Sequence, residues 1–197
     1  MSVTAAVMAG GRSRRMGRDK AWIDVGGSPL IQLVIDVLAA VSDEVIIVAN
    51  EPRYATLGRR VVPDRFPDGG ALGGIATGVG AATHDTVLVA ACDMPFLDAA
   101  VWRSLLAAQD GADVVIPMIG DEHQTLHALY TRACLPAMER ALATGRMRVI
   151  SFFDEVRVRR LPEELLRGID PTLRSFTNVN TPEELAAALA GSMTIPC

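Results

Sequence analysis

Apolar residues along the chain fall into short unbroken runs separated by longer stretches with a helical period. The runs VTAAVM (Val3 to Met8), EVIIVA (Glu44 to Ala49), TVLVAA (Thr86 to Ala91) and DVVIP (Asp113 to Pro117) are of strand length and do not alternate with polar positions. A strand that is apolar on both sides is buried on both faces, which is the condition of a parallel sheet covered by helices. Between the runs, Leu30, Val34, Leu38 and Val41 recur on one face of PLIQLVIDVLAAV, with Pro29 suited to a first turn. The segment LGGIATGVGAA (Leu72 to Ala82) predicts a glycine-rich helix, and DAAVWRSLLAAQ predicts one capped by Asp98. TRACLPAMERALATG predicts a helix interrupted at Pro136 and closed by Gly145. In TPEELAAALAG, Thr181 reads as a cap, Pro182 as the first position, Glu183 and Glu184 as an acidic first turn, and Gly191 as the stop.

Alternating strands and helices predict an α/β fold with a mainly parallel sheet. The segments EHQTLHALYT (Glu122 to Thr131) and EVRVRRL (Glu155 to Leu161) alternate more clearly and predict an added β layer in the second half. No Ser- or Pro-rich linker and no repeat divides the 197 residues, so residues 1–197 read as a single domain. In such sheets ligands gather outside the carboxyl ends of the strands.

Composition narrows the function classes. Half the residues are apolar and the formal net charge is −4, so there is no general basic field for nucleic acid. No apolar run is long enough for a membrane span, and the start of the chain does not read as a signal peptide. Cys92, Cys134 and Cys197 are far apart, which argues against a disulfide framework or a zinc site and fits a reducing, cytoplasmic setting. Positive charge must therefore act locally, and it does so immediately after the first strand. AGGRSRRMGRDK combines Gly10, Gly11 and Gly17 with Arg12, Arg14, Arg15, Arg18 and Lys20. Glycines allow backbone N–H groups to approach a ligand closely, and the cations match a polyphosphate. The stretch is neither a GxGxxG motif nor a P-loop, because Gly11 and Gly17 stand six apart and Lys20 is not followed by Ser or Thr.

Further candidates follow the other strands. Asp93, in ACDMPFL, lies just past a buried strand where a carboxylate can hold Mg²⁺ beside a triphosphate; a turn or cap aspartate is the plainer alternative. Asp64 follows the short strand RVV, and Asp68 opens a run containing Gly69, Gly70, Gly73 and Gly74 that permits close base or ribose contact. Asn50 ends a strand. Asn178 and Asn180 stand two apart, so an extended backbone directs both to one face, although Asn180 and Thr181 can equally start the last helix. His123, Gln124 and His127 sit on an alternating segment; the two histidines share a face there and read as packed or surface residues, without enough neighbours for zinc.

MAGGRSRRMGRDKA resembles the signature of the molybdenum cofactor guanylyltransferases, the MobA-type nucleotidyltransferases, usually written LAGGxSxRMGxDK, with Met8 in place of Leu. The resemblance continues in order through PLIQLVIDVL, VVPDRFPDGGALGGIATGV, ACDMPFL, HQTLHALYTR and NVNTPEEL, leaving only SMTIPC outside. It implies a three-layer, Rossmann-like, mainly parallel sheet of the nucleotide-diphospho-sugar transferase type. It also implies transfer of GMP from GTP to molybdenum-bearing molybdopterin with Mg²⁺. Nucleotide binding would lie mainly in the N-terminal half and acceptor binding in the C-terminal half. By the same resemblance, backbone groups of Met8, Ala9, Gly10 and Gly11 hold the nucleotide, Asn50 and Asp64 contact it, and Arg15 and Lys20 steady the β and γ phosphates. Asp93 is the metal ligand, Asn178 and Asn180 face the metal and the pterin, and Arg146 and Arg148 in GRMRV meet the acceptor phosphate. Molybdenum-insertion proteins and apo-molybdoenzymes are the partners the family would admit.

One departure is visible: the family's Pro-Leu-Ala-Gly stretch, near the base, is ALGG here (Ala71 to Gly74). The alternatives are a cytidylyltransferase of the same pathway, a sugar- or polyol-phosphate nucleotidyltransferase, and a GTP-binding protein without catalysis. An AGG rather than AAG start favours GTP by resemblance, and RMGRDK with NVNTPEEL argues against the sugar-phosphate class.

Overall fold

Val3–Met8 and Thr86–Ala91 are buried at every position, as a strand covered on both faces must be. The computed structural model describes residues 2–10 and 20–189. The strands are β1 (Val3–Met8), β2 (Asp24–Val25), β3 (Ser28–Pro29), β4 (Glu44–Val48), β5 (Arg60–Val62), β6 (Thr86–Ala91), β7 (Val114–Ile119), β8 (Glu122–His123), β9 (His127–Thr131) and β10 (Val158–Leu161). The helices are α1 (Leu30–Ala39), α2 (Gly70–Ala81), α3 (Ala99–Ala107), α4 (Leu135–Ala143), α5 (Glu163–Arg167) and α6 (Pro182–Leu189). The main sheet runs in the order β10-β7-β9-β6-β1-β4-β5, with β8 pairing to β7, while β2 and β3 form a separate hairpin. β1 is parallel to β4 and to β6, β4 to β5, and β10 to β7. β9 runs antiparallel to both β6 and β7.

Alternate strand residues feed two cores. Val7, Ile47 and Leu88 pack beneath α1 and α3 with Ile31, Val34, Trp102 and Leu105. Ala6, Ile46 and Val89 pack beneath α2 and α4 with Leu72, Ile75, Met138 and Phe152. The result is the three-layer α/β arrangement expected, with strand period two delivering side chains to each helix layer.

Three local expectations change. The two alternating segments do not form an added layer: β9 and β10 join the one sheet, because β7 offers free edges on both sides of its ladder. EHQTLHALYT breaks at residues 124–126 into β8 and β9, so His123 and His127 do not share a face. His123 sits edge-on to Phe153 in one core, whereas His127 stacks on Trp102 in the other. Pro136 does not interrupt a helix. The chain makes a 3₁₀ turn over Arg132–Cys134 and α4 then starts at Leu135, which places the proline in its first turn. The caps at Asp98 and Thr181 form as expected. Asp98 Oδ1 accepts from the Ala100 amide at 2.7 Å, and Thr181 Oγ1 accepts from the Glu184 amide at 3.1 Å. Glu184 reaches back to the Asn180 amide at 2.6 Å, completing a capping box shifted by one residue.

Candidate active site

The carboxyl ends of β1, β4 and β6 open into one cleft of about 1070 Å³. Its lining includes Met8, Ala9, Gly10, Lys20, Asn50 and Asp64, together with Asp93, Gln124, Met147 and Asn178. Backbone pairing sets this arrangement: the Ala9 amide donates to Val48 O at 3.0 Å and the Cys92 amide to Met8 O at 3.1 Å, so the three strand ends finish level. Gly11, Arg12, Arg14, Arg15, Gly17 and Arg18 lie outside the described residues. Lys20, where the described chain resumes, turns back into the cleft.

Lys20, Asp93 and Asn180 converge from three distant parts of the chain. Lys20 Nζ donates to Asn180 Oδ1 and lies 3.8 Å from Asp93 Oδ2. The Val179 amide donates to Asp93 O at 2.8 Å, which docks the 178–180 segment against the loop after β6. Asp93 Oδ1 is buried and has no hydrogen-bond partner among the described residues. Burial pushes the Asp93 carboxyl above the usual carboxylate range, opposed in smaller measure by the Lys20 charge. A buried anionic oxygen without a donor suits a cation. No cluster of three His, Cys, Asp or Glu among the described residues could hold a metal alone, so such a cation would share Asp93 with ligand oxygens.

Asn50 and Asp64 line the same cleft but also carry its framework. Asn50 Oδ1 accepts from the Asp64 amide at 2.8 Å, and Asp64 Oδ1 accepts from the Phe66 amide at 2.9 Å and from Thr77 Oγ1 at 3.0 Å. These bonds tie the ends of β4 and β5 to α2. The loop then turns through Gly70, whose φ of +58° is open to glycine at little cost. At Gly73 a Cβ would stand 2.5 Å from Phe66 O and 2.9 Å from Phe66 Cβ. The residue that departs from the family's usual alanine is thus the one on which the Phe66 turn rests. Gly73→Ala is expected to cost about 1–3 kcal/mol of stability and to displace Pro67 and Asp68 in the cleft wall. Calorimetric unfolding would measure the first effect; an unchanged Tm would show that the turn yields freely.

On the far wall the arginines of GRMRV are placed differently from their sequence reading. Arg146 is spent on structure: its guanidinium donates to Ser151 O at 2.9 Å, to Thr144 Oγ1 at 3.1 Å and to Glu155 Oε1 at 3.3 Å. Met147, between the two arginines, lines the cleft, and neither Arg146 nor Arg148 does. Gln124 and Met94, within HQTLHALYTR and ACDMPFL, line it too, and Arg53 is a further lining residue that no motif marks. The composition of EPRY gave no signal for Arg53, whose guanidinium lies 5.3 Å from the Trp22 ring centroid.

His127 is fully buried at the inner edge of this wall, stacked on Trp102 at 4.2 Å and near Phe176 at 4.5 Å. Burial lowers its pKa from 6.5 to about 3, with the Ser175 backbone and the Asp170 charge acting weakly the other way. The unfolded chain therefore takes up this proton at higher pH than the folded one, so stability is lost as pH falls from about 6.5 towards 3. The slope is at most about 1.4 kcal/mol per pH unit. His127→Phe is expected to remove that part of the slope in urea unfolding measured across this window; parallel curves for both proteins would contradict it.

The family model of the MobA-like NTP transferase domain matches residues 5–158. A protein of Pelotomaculum thermopropionicum named a probable molybdenum cofactor guanylyltransferase is 41% identical over 189 residues, covering 95% of this chain and 92% of its own length. A molybdenum cofactor guanylyltransferase of Desulfosudis oleivorans is 40% identical over 192 residues, covering 96% of this chain and 95% of its own length. Among solved structures, the molybdopterin-guanine dinucleotide biosynthesis protein A of Archaeoglobus fulgidus superposes with a TM-score of 0.79 at 28% identity, covering 96% of this chain and all of that one.

Proposed function

The chain belongs to the MobA-like NTP transferase family of nucleotidyltransferases, and from that premise we propose that it transfers GMP from GTP to molybdenum-bearing molybdopterin, releasing pyrophosphate. The observation that carries this reading is the meeting of Lys20 and Asp93 in one cleft, with Asn180 bonded to the Lys20 ammonium. The names of the 40%-identical relatives support the choice of donor and acceptor. One sheet carries both walls, so we read the chain as a single nucleotidyltransferase domain, with the nucleotide on the β1–β4–β5 side and the acceptor on the β6–β9 side.

In this reading the acceptor's terminal phosphate oxygen attacks the α-phosphorus of GTP in line, and the bond to pyrophosphate breaks. That phosphate is already largely ionised near neutral pH, so no strong general base is needed. Catalysis is then positioning and charge stabilisation. The Lys20 ammonium, fixed by Asn180, meets the charge that grows on the departing pyrophosphate. Met8 to Gly10 offer backbone to the nucleotide, Asn50 and Asp64 shape its loop, and Asn178 and Asn180 place the acceptor. Arg15 and Gly11, outside the described residues, would complete the phosphate cradle. Arg146 and Arg148 would act on the acceptor phosphate only at the rim, where Arg148 is the freer of the two. Asp93 would hold Mg²⁺, whose hard charge, shared with phosphate oxygens, neutralises the triphosphate when bound.

Pyrophosphate release from GTP, CTP, ATP and UTP, each with Mg²⁺ and with or without molybdenum-bearing molybdopterin, tests the reading. Release is expected with GTP alone and only with the acceptor. Release with CTP would keep the mechanism and overturn the base, and GTP binding without any release would leave a nucleotide-binding protein.

A further inference from the structure

Helix α2 is built of residues that do not favour a helix, glycines above all, and it holds one hydroxyl side chain, Thr77, which is completely buried. The glycines explain how the helix lies. A Cβ at Gly74 would stand 3.3 Å from Met8 Sδ, and one at Gly78 would stand 3.0 Å from Ala6 Cβ and 3.2 Å from Met8 Cε. Gly74, Thr77 and Gly78 are spaced to share one side of the helix. That side sits tight against β1, and Thr77 comes within reach of the loop that follows β5.

A threonine inside a helix ordinarily bonds a carbonyl of its own preceding turn. The Thr77 hydroxyl bonds across to the loop instead. It accepts from the Arg65 amide at 3.0 Å, and its single hydrogen goes to Asp64 Oδ1 at 3.0 Å. Asp64 Oδ1 accepts a second hydrogen from the Phe66 amide at 2.9 Å. Asp64 Oδ2 has no hydrogen-bond partner among the described residues. Asp64 lines the cleft and Thr77 does not. The carboxylate is thus held at one oxygen by two donors, which fixes its side-chain torsions and sets the direction of the other oxygen before any ligand arrives.

We infer that Thr77 is a positioning residue for nucleotide binding. It touches no substrate. It acts by holding Asp64 Oδ1, so that Oδ2 is offered in one orientation to a hydrogen-bond donor of the nucleotide, a sugar hydroxyl or a ring N–H. The place of Asp64 beside the nucleotide is taken from the guanylyl-transfer reading, and this inference rests on it.

Steady-state GMP transfer, with GTP and acceptor varied in turn, tests the role. Thr77→Val keeps the shape and removes the hydroxyl. It is expected to raise the GTP KM about tenfold, with kcat and the acceptor KM within about twofold of wild type. Thr77→Ala and Thr77→Ser lose the same methyl group and differ only in the hydroxyl, so they carry the test if the valine variant fails to fold. Serine should keep the GTP KM within about threefold of wild type, and alanine should raise it about tenfold. In an Asp64→Ala background, Thr77→Val should change the GTP KM by less than about twofold, because the group it acts through is gone. A threonine that only steadies α2 would lower Tm without moving the GTP KM, or would add its full effect in that background; either result overturns the inference. A raised GTP KM in Asp64→Ala alone would then leave guanylyl transfer and the Asp64 contact standing. If the wild-type protein moves no GMP to the acceptor, the functional reading fails, and calorimetric titration with GTP and Mg²⁺ decides the role of Thr77. About tenfold weaker binding by Thr77→Val supports it; equal binding, or no binding by the wild type, overturns it.

Discussion

Asp93→Asn is expected to lower GMP transfer by about three orders of magnitude while leaving the metal-free Tm unchanged or a few degrees higher. The two effects have one cause. Asp93 Oδ1 is buried without a partner among the described residues, and burial raises the carboxyl's pKa. The folded state therefore holds this proton more tightly than the unfolded state. The associated stability is present at low pH and lost as pH rises through the raised pKa, so at neutral pH the bare charge burdens the fold. An amide of the same shape removes that cost, although it also removes the attraction to Lys20 at 3.8 Å. Wild-type protein should gain Tm when Mg²⁺ and GTP are added together, and Asp93→Asn should gain much less. A metal-free Tm that drops by many degrees would make Asp93 a structural residue, and wild-type turnover by the variant would end the metal assignment.

Lys20→Ala is expected to reduce kcat/KM for GTP by about 10²–10³-fold, and to cost stability as well, because it leaves the largely buried Asp93 charge without the ammonium 3.8 Å away. Lys20 is the one described cation of the glycine–arginine loop, and it is held between Asn180 and Asp93. Lys20→Arg should recover only a small part of the loss, since a planar guanidinium does not replace a compact ammonium in that gap. The pH profile supplies an independent reading. Lys20 holds the Asp93 pKa down against burial, so removing it should move the acid limb of kcat/KM to higher pH. An unmoved limb together with unchanged nucleotide affinity and rate would remove Lys20 from the site.

The strand runs were legible because a strand covered on both faces is mostly apolar, and TVLVAA was bounded correctly at both ends. Helices were legible where an amphipathic face or a capping residue marks them, as at Asp98 and Thr181. The EHQTLHALYT segment misled because period two is a property of one strand, and nothing local reports the turn at residues 124–126 that splits it. Pro136 misled because the same residue breaks a helix from within and starts one from its first turn; only the position of the helix start separates the two cases.

The candidate site divides along the same line. The glycine–arginine loop, Asp93 and the paired asparagines stand out in the sequence because phosphate and metal chemistry demand particular residue types at strand ends. That is also what ties the chain to its family. The sequence marked GRMR by its charge, but the fold spent Arg146 on Glu155 and Ser151 and put Met147 in the cleft. Gln124 lies in the HQTLHALYTR stretch, but its place in the cleft comes from the antiparallel course of β9. Local residue types therefore determined the class of fold and marked the strand ends that carry the candidate site. The placing of Gln124 and Met147 in the cleft, and the meeting of Lys20 with Asn180 across 160 positions, came only from tertiary structure, since which side chains face a shared cleft depends on strand order and direction rather than on any neighbour in the chain.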